Sequence, residues 1–123
     1  MFLLKHAVFY FMFTYNITFI ADPLKAQELE DYLRIKLIPE VFNPDFPALN
    51  PQLKKVIEIG GEKPSPEHGI SIALSADFDT EESAHLWSDH ILIPQIENLK
   101  EKIGFEVLHF VTLLEKLSYD SAS

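Results

Sequence analysis

The stretch from Phe13 alternates. Phe13, Tyr15, Ile17 and Phe19 point one way and Thr14, Asn16 and Thr18 the other, which is the period of a half-buried strand. The same period returns at Ile70, Ile72, Leu74, Ala76 and Phe78, set against Ser71, Ala73 and Ser75. Further strands are expected at about Leu53 to Ile59 and Glu106 to Leu117. Between them, helical spacing predicts one helix from Pro23 to about Ile38 with Asp22 as its cap. A second is expected from Asp79 or Thr80, with Glu81 and Glu82 in its first turn, to about Ile103, stopped by Gly104. Pro39 and Pro94 sit late in the two helices, where the missing donor should kink or end each. Asn43 to Pro51, with three prolines, is expected as a loop between helix and strand.

The chain repeats itself once. An offset of 55 positions sets Leu37-Ile38-Pro39-Glu40-Val41 on Leu92-Ile93-Pro94-Gln95-Ile96, and without a gap Ile17 on Ile72, Asp22 on Asp77, Tyr32 on Trp87, Leu53 on Leu108 and Val56 on Val111. Each half is strand, helix, strand, and Gly60 to Gly69 joins the two middle strands as a hairpin loop. The order βαββαβ is the ferredoxin-like, split βαβ pattern of the α+β class. It implies a four-stranded antiparallel sheet with strands one and three central and both helices on one face.

The Phe- and Leu-rich start, Met1 to Ala21, resembles a leader only in composition. Its early charge is Lys5 alone, Thr14, Asn16 and Thr18 break the apolar run, and Phe19 stands where a signal cleavage site wants a small residue. A spanning helix needs about 20 predominantly apolar residues. Met12 opens the first strand, so residues 1–11 are read as an N-terminal extension or the product of a start codon placed too early. Residues 12–117 form the one ferredoxin-like domain, and 118–123 a frayed polar tail.

The face of the central strands away from the helices carries Thr14, Asn16, Thr18, Ser71, Ala73 and Ser75. These small, mostly polar side chains do not make a dry sheet-on-sheet core. The face is therefore open to water or floors a partly hydrated cavity under a second sheet. Strand four is apolar on both faces, with Val107, Val111 and Leu113 against Leu108, Phe110 and Leu114, so its outer side marks a partner site. A homodimer pairing these sheets buries the apolar rim and leaves a polar-floored chamber.

Composition narrows the function. The 123 residues carry 19 acidic and 10 basic side chains, a net charge of −9, which repels phosphate backbones and anionic lipid and argues against nucleic-acid and membrane partners. Zero cysteines exclude disulfides, thiolate metal sites and thiol nucleophiles. His85, Asp89 and His90 come nearest to an acid/base or metal cluster; His85 and Asp89 share a helix face with Glu81 or Glu82 one turn earlier. His90 points about 100° away from His85 on a helix, and a metal site needs three or four converging ligands. The solvated helix face is thus the better account, and no metal or cofactor is expected. Tyr32 and Trp87 read as core aromatics. Asn16-Ile17-Thr18 matches a glycosylation sequon, but within a strand of a chain expected to be cytoplasmic. Gly60-Gly61 opens no helix, so it is no phosphate loop, and no serine nucleophile elbow is present.

Met12-Phe13-Thr14-Tyr15-Asn16-Ile17-Thr18 followed by Asp22, then Ile38-Pro39-Glu40-Val41, and Phe110-Val111-Thr112-Leu113-Leu114-Glu115 resemble the signatures of the domain-of-unknown-function 4286 family, small bacterial proteins common in the Bacteroidetes. The likeness spans residues 12 to about 117. It implies a ferredoxin-like, dimeric α/β-barrel fold and a start at Met12, and it implies no assigned activity. The histidine that often stands two residues before the helix proline in that family is replaced here by Leu37 and Leu92.

Two functions remain. One is a non-catalytic homodimeric module that takes a small ligand or a protein partner in the sheet-side chamber, through Asn16, Thr18, Ser71, Ser75 and His109, or on its acidic helices. The other resembles the cofactor-independent monooxygenases of the same barrel architecture, with Asn16 and Thr18 positioning substrate and His109 moving a proton if it faces the chamber.

Overall fold

The structure, a computed structural model, describes residues 12–117. The expected extension, residues 1–11, and tail, residues 118–123, lie outside the described residues. Strand β1 (Phe13–Ala21) buries Tyr15, Ile17, Phe19 and Ala21 and leaves the alternate residues half-buried. Strand β3 (Ile70–Phe78) repeats that pattern with Ile72, Leu74, Ala76 and Phe78. The two pair antiparallel from Phe13 opposite Phe78 to Ala21 opposite Ile70. Strand β2 (Leu49–Lys55) flanks β3 and β4 (Leu108–Glu115) flanks β1, giving the order β2-β3-β1-β4 with the first and third strands central. This is the ferredoxin-like arrangement expected from the pattern.

The helices begin as the side chains at their starts dictate. Asp22 accepts the Leu24 amide at 2.8 Å, with Pro23 opening a single 3₁₀ turn ahead of α1 (Ala26–Tyr32). Thr80 Oγ1 accepts the Ser83 amide at 3.0 Å at the start of α3 (Glu81–Trp87), where Glu81 and Glu82 meet the positive end of the dipole. Gly104 closes α4 (Ile93–Ile103), and Lys25 Nζ donates to the Ile103 carbonyl at 2.7 Å.

Pro39 and Pro94 do not end their helices. Ahead of each the chain widens into a five-residue π segment, Leu33–Leu37 leading into α2 (Ile38–Val41) and Ser88–Leu92 leading into α4. The Ile38 amide reaches back five residues to the Leu33 carbonyl, and the Ile93 amide does the same to Ser88. The wider turn takes up the proline, which in a regular α-helix would clash with the carbonyl four residues before it.

The same device sets the packing. Leu29, Leu33, Leu37 and Val41 are all buried at intervals of four, and so are their repeat equivalents Ala84, Ser88, Leu92 and Ile96. In a pure α-helix each step of four overshoots the turn by about 40°, and the stripe would swing off the sheet. The π segments hold it in place. At one end of this core Trp87 packs on Phe78, Tyr15 and Phe42 with ring centroids 5.2, 5.4 and 5.6 Å away, and its Nε1 donates to the Val41 carbonyl at 2.9 Å. Tyr32, the repeat partner of Trp87, packs partly buried against the same cluster.

Two expected elements moved. Strand β2 starts at Leu49 rather than Leu53 and ends at Lys55, so the predicted loop from Asn43 to Pro51 ends in a strand. An edge position tolerates Pro51. An irregularity between Leu49 and Gln52, with Asn50 at φ 55°, absorbs the misfit. Strand β4 is shorter than expected at both ends.

Candidate functional site

The uncovered face of the sheet is a grid whose rows follow from register. One row runs Gln52, Ser75, Asn16, Thr112 across all four strands and is polar and uncharged throughout. The row beside it is Lys54, Ala73, Thr18, Phe110, and beyond that Ser71, Ile20 and Leu108 line up. Asn16 Nδ2 donates to Thr18 Oγ1 at 3.3 Å. Asn16, Thr18, Ser71 and Ser75 are therefore brought together on one face, all half-buried. Gln52 and Thr112 join them. Sequence reading missed Gln52 because the prolines around it argued for a loop, and Thr112 because it is hidden among apolar neighbours.

At the far end Thr14 and Asp77 form the closing row with Leu114. Asp77 accepts from Thr14 Oγ1 at 2.8 Å and Asn50 Nδ2 at 3.1 Å and pairs with Lys116 Nζ at 3.1 Å, which ties together the ends of all four strands. Burial pushes its carboxyl up. The donors from Asn50, Thr14 and Lys116 outweigh that and hold it below the usual carboxylate range.

His109 does not share this face. It stands opposite Phe19 in the β1–β4 register, on the side covered by the helices, with ring centroids 6.3 Å apart. Parity decides it: His109 falls in step with Val107, Val111 and Leu113, and Leu108 and Phe110 take the open side. Its Nδ1 is buried and has no hydrogen-bond partner among the described residues. Burial, with the nearby Lys100 charge, lowers its pKa below that of a free imidazole. The expected placement of His109 in the chamber is corrected, and with it goes the proton-transfer group on which the monooxygenase-like reading leaned.

The other histidines sit on solvated helix. His85 Nε2 lies 3.8 Å from Glu81 Oε2, and His85, Glu81, Asp89 and His90 are all exposed. Among the described residues no three metal-ligating side chains converge. Nor is any described helix long and apolar enough to cross a membrane.

The two edges of the sheet differ. Strand β2 carries Pro51, Lys54, Lys55 and the irregularity at Asn50, devices that discourage strand addition. Strand β4, Leu-His-Phe-Val-Thr-Leu-Leu-Glu, carries none of them. Leu108, Phe110 and Leu114 on its open side are 60%, 52% and 50% exposed. Beside the polar side chains of the central strands lies an apolar strip that a lone chain leaves in water.

No protein-family model matches the chain. No curated protein matches it in sequence. Solved structures match it in fold. A protein of the ethyl tert-butyl ether D (EthD) family from Bacillus halodurans is 14% identical, with a TM-score of 0.60 over 86% of this chain and all of that one. A monooxygenase of Streptomyces coelicolor in complex with nanaomycin D is 12% identical, with a TM-score of 0.54 over 88% and 89% of the two chains. A dimeric ferredoxin-like protein of unknown function from Thermobifida fusca is 15% identical, with a TM-score of 0.51 over 88% and 96%. At such identities the likeness is one of fold. The chain has the ferredoxin-like fold these proteins share.

Proposed function

We propose that the protein is a non-catalytic homodimeric module whose two sheets face each other across a chamber that takes a small ligand. The observation that carries this is the apolar strip Leu108, Phe110 and Leu114 running beside the polar side chains of Asn16, Thr18, Ser71 and Ser75. Association buries the strip and encloses these side chains. The dimeric Thermobifida fusca neighbour supports it as an analogy of fold. The lining has few charges, so the ligand is neutral and hydrogen-bonding, with apolar edges against the β4 strip.

Membership of the domain-of-unknown-function 4286 family and a cytoplasmic location belong to the same proposal, the first on the motif residues quoted above. So does the division into an extension, residues 1–11, a ferredoxin-like domain, 12–117, and a tail. Light scattering at micromolar concentration should give about twice 14.1 kDa, and Phe110→Glu should give the monomer. A monomeric wild-type chain removes the dimer and the chamber together. A thermal-shift screen on the dimer then seeks the ligand, since a binder raises the midpoint by mass action.

A further inference from the structure

A second groove lies on the other side of β2, against α1, and owes nothing to the dimer. Glu30 on α1 projects into it and is 18% exposed. Its Oε2 is 2.7 Å from Arg34 Nη2 and its Oε1 3.1 Å from Lys55 Nζ. Ile38, Leu53, Ile72 and the ring of Pro51 make the apolar part of a cleft of about 350 Å³, a volume within the range of small-molecule sites.

The charges here run against the rest of the chain. Two cations, Arg34 and Lys55, meet one carboxylate in a protein of net charge −9. Glu30 stays ionised because the hydrogen bonds from Arg34 and then Lys55 hold its pKa down. It occupies one donor of each, and a guanidinium has five N–H donors and an ammonium three. The rim thus keeps positive charge and unspent donors fixed in place by Glu30. Local field lines in such a cleft concentrate anions, and Ile38, Leu53 and Ile72 offer them apolar contact.

We propose that this groove binds a small amphipathic carboxylate, its head on Arg34 and Lys55 and its hydrocarbon body on Ile38, Leu53 and Ile72. Both parts are required by the site: a compact inorganic anion leaves the floor wet, and an uncharged chain leaves the donors unused.

The test is an amide NMR titration of the full chain with octanoate, with octanol in parallel. Octanoate should give saturable shifts at Leu53, Lys55 and the Glu30–Arg34 turn, and octanol should bind about tenfold or more weakly, the worth of one charge-assisted contact. Arg34→Gln should weaken octanoate by a similar factor, and Arg34→Lys should recover part of the loss. No saturable shift at millimolar octanoate overturns the proposal. So does equal binding of octanol, and so do shifts confined to Asn16, Ser75 and their neighbours on the open sheet face. The wild-type titrations decide the matter even if the Arg34 variants fold poorly.

Discussion

Thr14 and Asp77 face each other across the β1–β3 ladder, and the Thr14 hydroxyl donates to Asp77 Oδ1 at 2.8 Å. With Asn50 and Lys116 on the other oxygen, one carboxylate serves partners from the ends of three other strands. Replacing it strands those donors. Asp77→Ala should cost about 2 kcal/mol in urea unfolding, the scale of a hydrogen-bonded charge. Because its folded pKa is depressed, its contribution is complete above the unfolded value of about 3.9 and is lost as pH falls through the folded value. The gap between wild type and Asp77→Ala should therefore close in acid. A gap unchanged between neutral pH and strong acid would mean that the carboxylate's charge contributes nothing.

Tyr15 OH and Ser88 Oγ are 2.6 Å apart in the buried core. Burial raises the Tyr15 pKa, and Asp89 adds to it against the Ser88 hydrogen bond. The raised value means stability that is full below pH about 10 and lost as pH rises through the folded pKa. Tyr15→Phe should cost about 1 kcal/mol at neutral pH. The difference in tyrosinate absorbance between the two proteins should show Tyr15 titrating later than a free phenol.

His109 predicts the opposite sign of substitution. An imidazole with an orphaned buried Nδ1 gains little from its polarity. His109→Phe should leave the thermal midpoint unchanged or raise it. Its depressed pKa makes the wild type lose stability as pH falls from about 6.5 toward the folded value, and the variant should lack that part of the acid loss. An NMR titration placing the His109 imidazole at or above 6.5 would contradict its burial.

The π segment before Pro39 is testable by deletion. Removing the exposed Ile35 shortens the interval from Leu29 to Val41 to about three α-helical turns, which keeps the apolar stripe in phase. It also drives the proline into a regular helix, at a cost of about 3 kcal/mol. The deletion combined with Pro39→Ala should recover most of that loss. If the two changes instead add independently, the wide turn is not there for the proline.

The sequence pattern was legible where one physical rule acted alone. Alternation located β1 and β3 almost to the residue, the Asp22 cap and the Gly104 stop stood in plain view, and the structure takes Thr80 of the two candidates Asp79 and Thr80. It misled where two rules competed. Pro51 reads as a loop until an edge strand makes room for it, and that error hid Gln52 from the polar row. The π segments were missed although their signal was present: Leu29, Leu33, Leu37 and Val41 recur at four, too long an interval for an α-helix to keep on one face. His109 turned on a single step of parity, which the register sets toward the helices.

The unequal edges of the sheet also bear on how far association goes. A strand that lacks Lys, Pro and bulge is an invitation, and this chain extends one of them, at β4, and withholds the other, at β2. A molecule sticky at both edges would recruit copy after copy into a ribbon. In the proposed dimer, burying the β4 side leaves only the two β2 edges outward, and those would turn a third chain away, so growth would stop at the pair.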